Sequence, residues 1–182
     1  IVLIDRDCHK SHHYGMVLAG AHPVYLDSYP LSEYSMYGAV PIKEIKHQLL
    51  KLRAAGKLDR VRMLLLTNCT FDGIVYNVER VMSECLAIKP DLVFLWDEAW
   101  FAFARFGPIY RKRTAMNAAN GLRRRLRGAE MAEAWEKQQN ALEGADDATL
   151  IKTRLVPPPH ARVRVYATQS THKTLTALRQ GS

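Results

Sequence analysis

The chain has 182 residues, of which 48% are hydrophobic and 24% are charged. These are the proportions of an ordinary soluble globular domain with a core of its own. No apolar run is long enough to cross a bilayer, and the first residues lack the basic start and longer apolar stretch of a signal peptide. We therefore expect a cytoplasmic protein with no membrane partner.

The three cysteines form no Cys-x-x-Cys pair. This pattern predicts neither a zinc site nor a disulfide framework, and it is typical of reduced thiols in a cytosolic protein. The net charge of +8 points towards nucleic acid, but much of the excess lies in residues 111–113 and 123–127. No aromatic side chains alternate with these cations as a base-stacking surface requires. We interpret the clusters as a solvated helix face or a protein-contact surface and predict no nucleic-acid partner.

In chain order, the sequence predicts strands that alternate with helices. Strands are predicted at 1–7, 22–26, 61–67 and 91–96, and helices at 10–20, from Pro41 to Gly56, and from Val78 to Pro90. This alternation favours an α/β domain with a mostly parallel sheet flanked by helices. Ligands of such sheets bind at the carboxyl ends of the strands.

Residues 117–155 differ in composition, because they are rich in Ala, Arg, Glu and Gln with scattered apolar residues. They predict a long polar helix or a helix pair that is only weakly amphipathic. Three prolines at 157–159 form a stiff break, and a short strand at 163–166 follows. A final helix is predicted over residues 174–179.

Lys173 is the first candidate for chemistry. It follows Ser170, Thr171 and His172 at a strand-to-helix turn, where a partly buried amine can react with an aldehyde. The hydroxyls and the start of the following helix suit a phosphate. On these four residues alone, a surface lysine in a polar turn is the simpler interpretation.

Asp97 follows an apolar strand and opens the segment Asp97-Glu98-Ala99-Trp100. A carboxylate in that place can hold a protonated pyridine nitrogen. Capping of a helix is an equally good interpretation, since acidic residues are common at helix starts.

Residues 9–13 contain three histidines. His9 and His13 lie on one helix face and a metal site is conceivable, but no carboxylate or cysteine partner supports it. His9 stacked on a flat cofactor needs one histidine only, and exposed histidines at a helix start are the plain alternative. Residues 67–73, which include Thr70, offer hydroxyl, amide and carboxylate groups for a ligand or for an ordinary turn.

The order of these motifs is more specific than any one of them. His9-Lys10-Ser11, the segment 66–73, residues 96–100 and residues 170–173 together resemble the major domain of the bacterial ornithine/lysine/arginine decarboxylases. The resemblance covers most of residues 1–116 and then 160–182. It implies a pyridoxal 5′-phosphate (PLP) enzyme of fold type I, with part of the aspartate-aminotransferase-like large domain.

The resemblance also implies roles for single residues. Lys173 would bind the aldehyde of PLP, His9 would stack on its ring, and Asp97 would pair with the ring nitrogen. Ser170 and His172 would contact the phosphate. Ala99 and Trp100 would line the ring pocket, with Thr70 near the phenolic oxygen. Lys173 or His172 would return a proton to the α-carbon, and no metal is implied.

The sequence departs from the family in its spacing. Asp97 and Lys173 are 76 positions apart (173 − 97), which is further than expected, and a polar helical insertion at about 117–159 accounts for the difference. The chain lacks an initiator Met and an upstream Gly-Thr-Ser-type phosphate loop. We therefore expect residues 1–182 to be a partial PLP-binding major domain.

The function implied is decarboxylation of a basic amino acid to an amine and carbon dioxide, in a homodimer or larger homo-oligomer, with a role in polyamine supply. Ornithine, lysine and arginine remain open as substrates. The alternatives are another fold-type-I PLP enzyme, such as an aminotransferase, and a non-catalytic basic interaction module.

Overall fold

The computed structural model describes residues 1–178. Its strands are Val2–Asp5 (β1), Pro23–Leu26 (β2), Pro30–Leu31 (β3), Met36–Tyr37 (β4), Met63–Thr67 (β5), Val93–Asp97 (β6) and Arg164–Thr168 (β7). Five of them form one sheet in the order β2-β1-β5-β6-β7, and every neighbouring pair in it is parallel. Strands β3 and β4 form a small antiparallel pair. The predicted α/β class with a mostly parallel sheet is confirmed.

The helices are Lys10–Leu18 (α1), Ile42–Ala54 (α2), Val78–Ile88 (α3), Ala115–Leu126 (α4), Ala129–Ala141 (α5), Asp147–Lys152 (α6) and Thr171–Thr174 (α7). Helix α2 begins directly after Pro41, as predicted, because the fixed φ of proline suits a helix start. Gly56 follows α2 with a φ of +65°, a conformation that favours glycine. The helix predicted over 174–179 is wrong over its described part, because α7 ends at Thr174; residue 179 lies outside the described residues.

The two faces of the sheet are covered by different helices. Leu3, Leu64, Phe94 and Trp96 lie on one face and pack into a core with α2, α3 and α4. The alternate residues, such as Ile4 and Leu65, form a smaller cluster on the other face, where Met16 of α1 packs against them. This alternation follows from the two-residue period of a strand, and it explains why the strands are apolar almost throughout.

The predicted polar segment folds as α4, α5 and α6, and the three helices differ in burial. Helix α4 contributes five buried residues to the protein interior, whereas α5 and α6 contribute none. Lys46 of α2 is 1% exposed and donates to the carbonyls of Leu150 and Thr153 at 3.1 and 2.6 Å. The end of α6 is therefore fixed to the main body. That residues 117–159 are an insertion stays a prediction.

Within residues 1–178, no helix combines the length and apolar character needed to cross a membrane.

Candidate active site

The predicted site residues come from the carboxyl edge of the sheet. Thr67, Asp97 and Thr168 end β5, β6 and β7 and lie in register across the three strands. The polar segments that follow these strands therefore start side by side. Their backbones are tied together, since Asn68 N–H donates to the Asp97 carbonyl at 2.9 Å and Glu98 N–H donates to the Thr168 carbonyl at 2.8 Å.

A cavity of about 450 Å³ lies at this edge. Five of the residues predicted from the sequence line it: His9, Asp97, Ala99, Trp100 and Lys173. They come from three separate parts of the chain, which the parallel sheet brings together. The wall is completed by Thr67, Cys69 and Phe71, which belong to the segment 67–73 that the sequence suggested for a ligand or a turn, and by Asp7, which sequence reasoning did not single out.

Asp97 is held by three hydrogen bonds inside this wall. His12 Nε2–H donates to Asp97 Oδ2 at 2.8 Å, and the Thr168 hydroxyl and Ala99 N–H donate to Oδ1 at 2.9 and 3.0 Å. Burial acts to raise the pKa of Asp97, but the hydrogen bonds from His12, Thr168 and Ala99 together outweigh it and hold this pKa below its usual value. The carboxylate is thus kept anionic in a site with little solvent.

His12 is a functional candidate that sequence reasoning missed. Its side chain is 11% exposed, and its partner Asp97 is 9% exposed. His12 lies on α1 three positions after His9, and residues three apart lie on the same side of a helix. This spacing is the one signal in the sequence that could have placed His12 beside His9 at the site.

Lys173 lies on α7 with its ammonium 5.1 Å from the centroid of the Trp100 ring. Phe71 packs edge-to-face on Trp100, with ring centroids 5.5 Å apart. Lys173 Nζ forms no ion pair with any residue of the described chain. The amine therefore faces an aromatic wall and the cavity.

The remaining predicted residues lie near the cavity without lining it. Ser170 is the N-cap residue of α7, and its carbonyl accepts from Lys173 N–H at 3.3 Å. His172 Nδ1 and Thr174 Oγ1 are buried and have no hydrogen-bond partner within residues 1–178. Thr70 lines a neighbouring cavity, and its hydroxyl accepts from Ile74 N–H at 3.1 Å.

His9 has a structural role as well as a place in the wall. It caps α1, with Nδ1 accepting from Ser11 N–H at 3.3 Å, and its side chain is exposed. The structure thus agrees with the interpretation of His9 as an exposed residue at the start of a helix. It does not conflict with stacking, because the same residue borders the cavity.

Glu98 is the buried support of the site. It is 0% exposed, and its Oε1 accepts from Asn68 Nδ2 at 2.8 Å and from Ala115 N–H at 2.7 Å, while Gln169 Nε2 lies 3.5 Å from Oε2. Burial raises the pKa of Glu98, and these hydrogen bonds only partly offset the effect. One side chain thus joins the segments after β5, β6 and β7 to the start of α4.

The family model and the curated relatives agree on one family. The family model described as "Orn/Lys/Arg decarboxylase, major domain" matches residues 1–154, a range that ends before Lys173. The biodegradative arginine decarboxylase of Escherichia coli K12 is 30% identical over 191 aligned positions, which cover 100% of this chain and 20% of that protein. The lysine decarboxylase LdcA of Pseudomonas aeruginosa is 32% identical over 65% of this chain and 16% of its own length.

The chain therefore spans about a fifth or less of these curated relatives. Among solved structures, an archaeal O-phosphoseryl-tRNA(Sec) selenium transferase superposes with a TM-score of 0.47 at 17% identity, covering 65% of this chain and 25% of that one.

Proposed function

Since the chain belongs to the Orn/Lys/Arg decarboxylase family, as part of the major domain, we propose that its protein is a PLP-dependent decarboxylase of a basic amino acid. The substrate would be ornithine, lysine or arginine, and the products an amine and carbon dioxide. The observation that carries the proposal is the shared cavity that Asp97 and Lys173 line, because these two groups are far apart in sequence and chemically complementary to one cofactor. We further propose that the protein is cytoplasmic and at least dimeric.

The residues of the site fit PLP. The cofactor needs an amine for its aldehyde, an anion for its ring nitrogen, a flat wall and donors for its phosphate. Lys173 offers the amine, Asp97 the anion and Trp100 the flat wall. The Nδ1 atom of His172, on the same turn as Lys173, is buried without a hydrogen-bond partner within residues 1–178 and still needs one. Lys173, Asp97, His9, Ala99 and Trp100 would hold the ring, and Ser170 and His172 the phosphate. Thr70, in the neighbouring cavity, would reach the phenolic oxygen.

Bound PLP supplies an electron sink for the pair that remains when carbon dioxide leaves. The protein's own contribution begins with Asp97, whose lowered pKa keeps a negative charge where a protonated ring nitrogen needs one. His12 and Thr168 fix the orientation of that carboxylate through opposite oxygens. The Trp100 ring lies beside the reacting end of Lys173, and Phe71 packs edge-to-face on Trp100, so an aromatic wall borders the amine.

The reaction breaks the bond between the α-carbon and the carboxylate, and a proton takes the place of carbon dioxide. Lys173 or His172 would deliver that proton, because both lie on α7 beside the cavity. The amine product keeps the distal cationic group of the substrate unchanged.

The test is reduction of the full-length protein with borohydride in the presence of PLP, followed by peptide mapping with mass spectrometry. We expect an adduct on Lys173 and none after Lys173→Ala, whereas Lys10→Ala, at the exposed start of α1, leaves the adduct unchanged. A folded protein with no adduct, or with an adduct on another lysine, would contradict the proposal. Carbon dioxide and an amine as products would separate a decarboxylase from an aminotransferase, which gives a keto acid.

A further inference from the structure

A second cavity, of about 350 Å³, lies beside the Lys173 cavity. Three carboxylates line it, those of Asp5, Asp7 and Asp72, and no lysine or arginine does. This is unusual for the chain as a whole, which carries 26 Lys and Arg against 18 Asp and Glu. The cavity is therefore a local negative site on a basic protein, which favours a cationic ligand.

Asp5 is the group that most needs a partner. It is 3% exposed, its Oδ2 accepts from Thr67 N–H at 2.9 Å, and its Oδ1 has no hydrogen-bond partner within residues 1–178. Burial raises the pKa of Asp5 by more than hydrogen bonding from Thr67 lowers it. A buried carboxylate oxygen without a donor is costly, and a bound cation would remove the cost.

The chemistry of the walls distinguishes an organic cation from a metal ion. Among residues 1–178, no group of three His, Cys, Asp or Glu side chains converges closely enough to hold a metal. The carboxylates are instead spread around a cavity that Tyr37, Phe71 and Tyr76 also line. Aromatic rings and separated carboxylates suit a large, soft cation such as an alkylammonium or a guanidinium.

The two cavities are neighbours that have part of their walls in common. Asp7, Thr67 and Phe71 line both of them. A ligand whose reacting end lies against Lys173 can therefore extend its other end along this common wall. Asp7 and Asp72 form no hydrogen bond or ion pair through their side chains with another described residue, so their charges are free to meet that end.

We propose that this acidic cavity binds the distal ammonium or guanidinium of the basic amino acid, and so selects a basic substrate. The inference rests on the proposed function for the identity of the reacting end. The cavity itself requires only a ligand with a cation at the end remote from Lys173. Asp5 forms the base of the cationic site, and Asp7 and Asp72 form its sides.

The test compares 1,5-diaminopentane with 1-aminopentane, which lacks the second ammonium, by isothermal titration calorimetry on the full-length protein at about 0.15 M salt, where long-range attraction is screened. We expect the diamine to bind more tightly. Asp72→Asn and Asp5→Asn should each lower the diamine affinity about 10- to 100-fold, the range of one charge-assisted contact, without changing the monoamine affinity. Asp59→Asn, a matched loss of an exposed carboxylate outside the cavity, should change neither.

Equal affinity for the two amines would overturn the inference, and so would equal losses in Asp72→Asn and Asp59→Asn. Displacement of the diamine by Mg²⁺ or Ca²⁺ would also overturn it, because the cavity would then be a metal site. Circular dichroism shows whether Asp5→Asn still folds, and the exposed Asp72→Asn keeps the test valid if it does not. The borohydride result on Lys173 is independent: a missing adduct with a retained diamine preference would reject the proposed function but keep the acidic cavity as a site for the cationic end of a ligand.

Discussion

His12 and Asp97 form a hydrogen bond across little exposed surface, with Nε2 and Oδ2 2.8 Å apart. The pair joins α1 to the end of β6 across 85 residues of sequence. His12 makes the largest single contribution that lowers the Asp97 pKa against the effect of burial. The charge on the carboxylate thus depends on a side chain outside the cavity wall.

Replacement of His12 by Phe is expected to raise the pKa of Asp97, because burial then acts with less opposition. A depressed carboxylate pKa gives stability that is present above the unfolded value and lost as the pH falls through the folded value. In the variant the folded pKa moves up towards the unfolded value, so this contribution to stability becomes smaller. We expect the acidic limb of the kcat–pH profile and the pH titration of cofactor absorbance both to shift to higher pH.

His47→Phe, on the exposed side of α2, is the control and should shift neither profile. Unchanged profiles in His12→Phe would contradict the role assigned to His12.

Asp97→Asn is expected to lower kcat by about 10²- to 10³-fold, the usual effect of removing one group that stabilises charge in the transition state. The fold should be retained, because Asn can still accept from Thr168 and from Ala99 N–H. The measurement is steady-state decarboxylation beside thermal denaturation. Asp91→Asn, at the opposite end of β6, is the matched control and should retain activity. A variant with normal kcat would show that Asp97 only caps the following segment.

The sheet could be predicted from the sequence because each strand is recognisable from its own short run of residues. Apolar runs such as 63–66 need no partner to be recognised as buried strands, and their parallel order follows from the helices between them. Convergence of Asp97 and Lys173 required the family resemblance, since nothing local relates residues 76 positions apart (173 − 97).

Contacts that depend on three-dimensional packing could not be predicted from the sequence. His12 is one histidine of three in a short segment, and only the packing of α1 on the sheet selects it as the partner of Asp97. Asp5 ends a strand, where a carboxylate is common, and its unpartnered oxygen depends on which side chains surround it in three dimensions. The same holds for Glu98, which the sequence suggested only as a neighbour of Asp97.

Glu98→Ala is expected to destabilise the protein by about 2–5 kcal/mol, because the donors Asn68 Nδ2 and Ala115 N–H would both lose their buried acceptor. Glu98→Gln keeps an acceptor oxygen for these donors and should cost much less. Urea denaturation of both variants measures the difference.

The pH dependence of Glu98→Gln gives a sharper result. The folded pKa of Glu98 is raised, so the buried charge costs stability at neutral pH, and this cost falls as the pH drops through the folded pKa. The stability of the wild type relative to Glu98→Gln should therefore rise on acidification from pH 7. A constant difference would show that Glu98 does not carry an unfavourable buried charge.

Removal of the buried Lys46 side chain should lower the stability of the fold by a measurable amount. Lys46 and Glu84 form an ion pair 2.7 Å long, with 2% and 1% of their side chains exposed. Among residues 1–178, Lys46→Met leaves the half-exposed Arg80 as the one ion-pair partner of Glu84. It also removes the donor to the carbonyls that end α6. We expect a loss of about 3–5 kcal/mol, the usual cost of breaking a buried pair from one side.

Lys43→Met, on the exposed face of the same helix, should change stability by less than about 0.5 kcal/mol. In Lys46→Met, amide hydrogen exchange should become faster in α6 than in the wild type, while exchange in the sheet changes less. The reason is that this side chain ties α6 to α2. An equal increase in the exchange rates of α6 and the sheet would mean that Lys46 stabilises the whole fold rather than the attachment of α6.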